Sequence, residues 1–210
     1  MDQIAEDFKQ ALLSLDKQAA RNIIEQSNGN ISSIQLVEKI VVPVLENIGK
    51  GWLEGKYALS QIFMSGKIVE ELVDTFLPPG DLNRIDQPPM AITVLEDYHM
   101  LGKRVVYSVL RSSGYELVDY GQKNVDELVQ KVVEDKIKIL LISVLMLPSA
   151  LKIKEVVEKL EKMSVDVKII VGGAPFRFDT TLWKEVKADA MGYHASDINA
   201  ILESLIGELS

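Results

Sequence analysis

Met90-Ala91-Ile92-Thr93-Val94-Leu95 runs straight into Glu96-Asp97-Tyr98-His99-Met100-Leu101-Gly102. Six consecutive strand-forming residues with scarcely a polar break read as a strand buried on both faces, the kind found inside a parallel sheet. Leu101 then opens an apolar pattern of helical spacing that lasts to Ser112, and Gly114 follows where a left-handed C-cap glycine belongs. The stretch is therefore strand, loop, helix. The loop carries an aspartate and, two residues on, a histidine. An imidazole there could bind a metal through one ring nitrogen while the carboxylate holds the other. Asp97 and His99 could equally form a simple loop hydrogen bond.

Moving toward the C-terminus, the same alternation repeats. Strands are expected at Glu116–Tyr120, Ile139–Ser143, Val167–Val171 and Ala188–Met191. Helices are expected at Val125–Glu134, Leu151–Met163, Thr180–Val186 and Asp197–Ile206. Five strands alternating with helices form an α/β, Rossmann-like parallel sheet with right-handed crossovers, in the flavodoxin-type order 2-1-3-4-5. In such a sheet ligands bind beyond the carboxyl ends of the strands, at the switch point between strands 1 and 3.

Toward the N-terminus the pattern is helical. Ile4, Phe8, Leu12 and Leu15 recur at spacings of three and four, as do Ala19, Ile23 and Ile24. A third helix spans Ile34–Ile48, with Pro43 expected to kink it or split off its last turn. Gly49, Gly51 and Gly55 are expected to make a flexible corner around Trp52, and a fourth helix runs from an N-cap at Ser60 to Phe76. These four helices read as a bundle over residues 1–80. A Pro-rich linker over 81–89 follows, and the α/β domain occupies 90–210.

The chain has 210 residues, 47% of them hydrophobic and 26% charged, ample for packed cores. A net charge of −8 argues against binding nucleic acid or an anionic membrane surface. With no cysteine there are neither disulfides nor thiolate metal sites. Asp2, Glu6 and Asp7 precede no apolar signal region, and Ile137–Leu147 falls short of the roughly 20 residues that span a bilayer. A cytoplasmic protein is expected.

Several small or polar residues fall at the carboxyl ends of the expected strands: Asp97 and His99, then Ser143 to Ser149, then Gly172-Gly173-Ala174, then Gly192-Tyr193. Adjacent glycines let a backbone approach a bulky ligand closely, or simply turn tightly into a helix. Ser149 also suits the N-cap of the helix after strand 3. The dinucleotide and P-loop glycine patterns are absent, and Ser143 stands where a phosphoreceiver has aspartate. Two histidines are too few for a hydrolytic zinc centre. One histidine suffices as axial ligand to a metal that brings its own equatorial ligands.

Asp97-x-His99-x-x-Gly102, then Ser143-x-Leu145, then Gly172-Gly173, preceded by a helical bundle, resembles the cobalamin-binding proteins of corrinoid-dependent methyl transfer. Their cofactor module is similar to that of cobalamin-dependent methionine synthase. The resemblance covers nearly the whole chain and implies cobalamin as cofactor, with cobalt carried above His99. It implies His99 as the lower axial ligand in place of the cofactor's own dimethylbenzimidazole, with Asp97 on its other nitrogen and Ser149 supporting Asp97. Tyr98 and Met100 would lie beside them. The displaced nucleotide tail would run along Gly102, Ser143, Leu145, Gly172, Gly173 and Ala174, ending near Gly192 and Tyr193. Glu96 stands where the family has glycine, and Leu147 where it has a small hydroxyl residue near the cofactor. The bundle would cap the corrin. There Met64, with Trp52 and Phe63, either covers the upper face or belongs to the bundle core, and the core is expected for any one of them.

The function implied is that of a methyl carrier working between a substrate-specific methyltransferase and a second one. The acceptor would be tetrahydrofolate or similar, a reductive activator would be needed, and the protein would be a monomer or weak dimer. It is not expected to be catalytic alone. A cobalamin-responsive regulator is the alternative.

Overall fold

The computed structural model describes residues 2–27, 33–76 and 87–209. The chain divides into two compact units, residues 1–78 and 79–210. Pro78-Pro79 and positions 81–86 of the expected linker lie outside the described residues.

The first unit is helical: α1 (Asp2–Leu13), α2 (Lys17–Ser27), α3 (Ser33–Leu36), α4 (Val42–Leu53) and α5 (Leu59–Phe76). Phe8, Leu12, Ile24, Leu36, Ile40, Ile48 and Leu72 form its interior. Between α3 and α4, residues Val37–Val41 form a π turn, and the Val42 N–H reaches back to the Val37 carbonyl. Pro43 has no N–H to give and would crowd the carbonyl four residues back, so the widened turn before it accommodates the ring. The break thus precedes the proline, whereas a kink or a split at the helix end was expected. Nor do Gly49 and Gly51 form a corner: α4 continues to Leu53. Gly51 is held close against Tyr57, where a Cβ would fall 2.2 Å from the ring, and only Gly55 turns, at φ +74°. Ser60 is not the N-cap of α5. The helix starts at Leu59, and Gln61 Oε1 reaches back to accept from the Ala58 N–H at 3.0 Å.

The second unit is the expected sheet. Strands β1 (Met90–Leu95), β2 (Val118–Lys123), β3 (Ile139–Ser143), β4 (Lys168–Gly172) and β5 (Ala190–Gly192) are all parallel, in the order β2-β1-β3-β4-β5. Every residue of β1 is buried, as an apolar run at the centre of a doubly covered sheet must be. Successive side chains alternate between faces. Ala91, Leu95, Leu140, Ile142, Ile169 and Val171 pack against α7 (Val125–Glu134), α8 (Leu147–Lys162), α9 (Ala174–Phe178) and α10 (Leu182–Glu185). Ile92, Val94, Leu141 and Ile170 face the other way, toward α6 (Leu101–Ser112) and α11 (Ile198–Leu209).

Bounds differ from expectation where local chemistry intervenes. β2 is an edge strand with a bulge: its register to β1 jumps between Ile92 and Val94. Gly121 takes φ +66° there, and Thr93 Oγ1 donates to its carbonyl at 3.2 Å. The strand therefore runs on through polar Gln122 and Lys123. Pro148, at home in a first turn, starts α8 four residues early, so Ser149 lies inside the helix rather than at its N-cap. Asp179 Oδ1 accepts from the Thr181 N–H at 2.8 Å and its hydroxyl at 2.7 Å, and this turn separates α9, which was not expected, from α10, to which the expected 180–186 helix is shortened. β4 and β5 reach one residue beyond their expected ends, which brings Gly172 and Gly192 into the ladder.

Candidate functional site

The loop after β1 is tied down on three sides. Glu96 sits at φ +44°, a left-handed conformation that suits glycine and explains why a non-glycine side chain here needs anchorage. Its N–H donates to the Lys123 carbonyl at 2.9 Å, its carbonyl accepts from Ser149 Oγ at 3.0 Å, and its carboxylate pairs with Lys152. Asp97 follows, its side chain 1% exposed. One carboxylate oxygen meets His99 Nδ1 at 2.5 Å and accepts from the His99 N–H at 3.1 Å. The other accepts from the Leu145 and Met146 N–H groups at 2.7 and 2.9 Å. The His99 side chain is 45% exposed. With Nδ1 engaged, Nε2 is the ring nitrogen left to meet a ligand.

Burial pushes the Asp97 carboxyl upward, but the His99 bond and the amides of Leu145, Met146 and His99 outweigh it and hold the group at about 2. A carboxylate depressed below its unfolded value stabilises the fold fully above about pH 4 and loses that contribution as pH falls through the folded value. The shift corresponds to about 2 kcal/mol. In urea titrations, the stability advantage of wild type over Asp97→Asn should shrink by most of that amount between about pH 6 and pH 2. An advantage that stays constant with pH would show that the carboxylate's ionisation is not what anchors the loop.

Beside this loop, strand register assembles a row. Val94 pairs with Ser143, Ser143 with Gly172, and Gly172 with Gly192. All four share the α6/α11 face of the sheet at its carboxyl edge, and three of them carry little or no side chain. The Ser143 hydroxyl makes no hydrogen bond among the described residues. The row is bounded by Gly102 of α6, whose Cβ would lie 2.8 Å from Ser143 Oγ, and by Ile201 of α11, 3.9 Å from where a Gly192 Cβ would be. Gly173, at φ +118°, abuts the Val144 carbonyl so closely that a Cβ would fall 1.8 Å from its oxygen. At the far end, the Arg177 guanidinium lies 5.1 Å from the Tyr193 ring centroid, and Tyr193 meets His194 edge-on at 4.9 Å. Asp197 Oδ2 fixes that turn by accepting from the Tyr193 and His194 N–H groups at 3.1 and 2.8 Å.

Asp97, His99, Gly102, Ser143, Gly172, Gly173, Gly192 and Tyr193 thus gather at one edge of the sheet. Ser149 acts on the Glu96 carbonyl, one peptide before the carboxylate it was expected to support. Leu145 contributes its amide to Asp97, and Met146, which sequence reasoning missed, contributes a second. Glu96, Lys152 and Arg177 were also missed as anchoring or lining residues. Tyr98, Leu145, Met146 and Leu147 have exposed side chains, while Met100 precedes α6 and Ala174 opens α9. Met64 belongs to the first unit, where it is exposed together with Trp52 and Phe63, so none of the three is bundle core.

One imidazole beside a narrow backbone-lined row would suit a metal that brings its own ligands. Among the described residues, no group of three or more His, Cys, Asp or Glu could hold a bare ion. The comparisons with known proteins agree. One B12 binding domain family matches residues 88–202 and a second matches residues 4–76, and the chain belongs to this family of cobalamin-binding proteins. More particularly, it is 30% identical over 186 residues to monomethylamine corrinoid protein 2 of Methanosarcina acetivorans, covering 82% of this chain and 83% of that protein. It is 26% identical to dimethylamine corrinoid protein 1 of the same organism, over 98% of both chains. The structure of the Methanosarcina barkeri monomethylamine corrinoid protein shares the fold, with a TM-score of 0.83 at 23% identity over 97% of this chain and 99% of that one. Among the described residues, no helix is long and apolar enough to cross a membrane.

Proposed function

We propose that this protein carries a methyl group between two methyltransferases on a cobalamin held through His99. The observation that carries the reading is the Asp97–His99 pair standing at the head of the Val94–Ser143–Gly172–Gly192 row. When bound, the cobalt would supply the nucleophilic chemistry of methyl transfer.

The chain's own residues do the rest. His99 would hold the cofactor's metal through Nε2, in place of the cofactor's own nucleotide base. Asp97 fixes the ring's tautomer and orientation, and the Leu145 and Met146 amides keep that carboxylate ionised and still. Ser149 holds the Glu96 carbonyl, from which the loop departs, and Lys152 holds the Glu96 carboxylate. Gly102, Ser143, Gly172 and Gly192 leave room for the freed tail, and the Ser143 hydroxyl is available to bond it. Tyr98, Leu145, Met146 and Leu147 offer apolar surface to the macrocycle. A methylamine or similar methylated compound is the donor on the first partner, tetrahydrofolate or a comparable acceptor serves the second, and a reductive activator rescues oxidised cobalt in the cytoplasm.

The test is reconstitution with hydroxocobalamin followed by methyl transfer assays with candidate methyltransferases. The expected product binds one cobalamin with a base-off visible spectrum, and neither methyltransferase step proceeds at its full rate without the carrier. Binding without any methylation by donor-specific partners would favour a regulatory role.

A further inference from the structure

We propose that the buried Lys103–Asp119 ion pair positions His99, by fastening the far end of the loop that carries it to the bulge of β2. The inference rests on the cobalamin reading above and adds to it two positioning residues that act through the loop.

Three observations carry it. First, Asp97 and Lys103 are the only charged residues buried among the described residues, and they flank the loop that carries His99. A lysine is rarely buried, and then it is paired, because stripping water from an ammonium is costly. Lys103 Nζ lies 2.5 Å from both carboxylate oxygens of Asp119. Second, nothing within α6 accounts for a cation at this position. Lys103 falls in the first turn of the helix, where the macrodipole favours acidic residues, and that turn has none. What explains Lys103 is the edge strand it reaches. Third, one short piece of that strand holds both ends of the loop. Asp119 stands beside Ile92 just before the register of β2 shifts, and its Oδ1 also accepts from the Gly121 N–H at 2.8 Å, which shapes the bulge. Two residues beyond Gly121, the Lys123 carbonyl accepts from the Glu96 N–H at 2.9 Å. Residues 119–123 therefore grip the loop where it leaves β1 and again where it enters α6. Asp97 orients the imidazole from within the loop, and the bulge sets where the loop itself stands. An apolar contact would also fasten α6 to β2 but would let it slide. An ammonium seated between two carboxylate oxygens fixes one position.

The experiment compares wild type with the double variant Lys103→Met/Asp119→Asn. The double change leaves no charge buried alone, and an amide oxygen at 119 can still accept from the Gly121 N–H, so the fold should be retained. Cobalamin should bind the variant about tenfold more weakly. The electron paramagnetic resonance spectrum of its cob(II) form should show part of the bound cofactor without nitrogen coupling from the protein imidazole. In the apoprotein, the His99 N–H should exchange with solvent about tenfold faster or more in the variant than in wild type. Full imidazole coupling in a folded variant would overturn the proposal, and so would an unchanged exchange rate at His99. Should the variant fail to fold, wild-type apoprotein decides the matter. Its His99 and Gly121 N–H groups should exchange through one opening with a common urea dependence. Different urea dependences would mean that the loop moves independently of the bulge, and would overturn the proposal. A wild type that binds no corrinoid, or binds cobalamin with its own base on the metal, would instead overturn the underlying reading, on which the exchange measurements do not depend.

Discussion

His99→Ala should abolish the nitrogen coupling that a protein imidazole imposes on the electron paramagnetic resonance signal of the paramagnetic cobalt form. The ring is the group of the β1–α6 loop proposed to meet the metal, and its Nδ1 is engaged by Asp97 at 2.5 Å. Loss of a residue that merely supports a metal-binding histidine costs ~10- to 100-fold in affinity or activity. Loss of the ligand itself should cost at least as much in methyl transfer. The fold should persist, because the His99 side chain is 45% exposed and removes no core contact. Thermal unfolding of the apoprotein should therefore change little while the spectrum changes completely. An unaltered signal would reduce the Asp97–His99 pair to a loop hydrogen bond.

Gly173→Ala should be the most damaging single methyl in the second unit. Gly173 takes φ +118° and ψ −178°, a region that essentially only glycine populates. The added Cβ would also lie 1.8 Å from the Val144 carbonyl oxygen, which belongs to backbone that cannot swing aside. A loss of more than about 4 kcal/mol is expected, or failure to fold. Gly172→Ala offers the contrast. Its Cβ would meet the Gly192 carbonyl at 3.5 Å, an ordinary contact, so unfolding in urea should shift by no more than about 1 kcal/mol. What Gly172→Ala should lose is affinity for cobalamin, since the methyl projects into the row. The two adjacent glycines thus separate a requirement of the fold from a requirement of the ligand. Equal, mild effects of both substitutions would refute the clash at Gly173.

The strand order could be read from the sequence because β1 and β3 are continuous apolar runs and the helices between them carry a clear 3.6-residue period. The Asp97-x-His99 pairing was legible for a local reason: residues two apart in a loop meet without help from distant chain. Contacts made across the fold were hidden. Nothing in the letters of Leu145-Met146 says that their amides will converge on Asp97 from 48 and 49 residues away. Nor does a glutamate announce a left-handed backbone at position 96, although the family's glycine there was the pertinent signal. Ser149 was misplaced because Pro148 extends α8 backward, which turns an expected cap into an interior residue. Trp52, Phe63 and Met64 were assigned to the core because helical periodicity counts apolar residues without showing which stripe lacks a partner. Arg177 escaped notice because its neighbour Tyr193 arrives from another strand.

If the freed tail lies along the glycine and serine row, as proposed, the row has a kinetic consequence. Gly172 and Gly192 are members of the sheet's hydrogen-bonded ladder, so the floor beneath a seated tail is among the least yielding parts of the unit. Its sides are helices anchored by buried Val105, Val109, Leu110, Ile198 and Leu202. A tail lying there leaves by reptating lengthwise past the Tyr193 turn or by waiting for α6 or α11 to peel from the sheet, a rare sub-global opening. Residence time is then governed by the lifetime of the domain rather than by the strength of any one contact. A carrier that must visit two enzymes in alternation can in this way complete many circuits before it surrenders its cargo's mount.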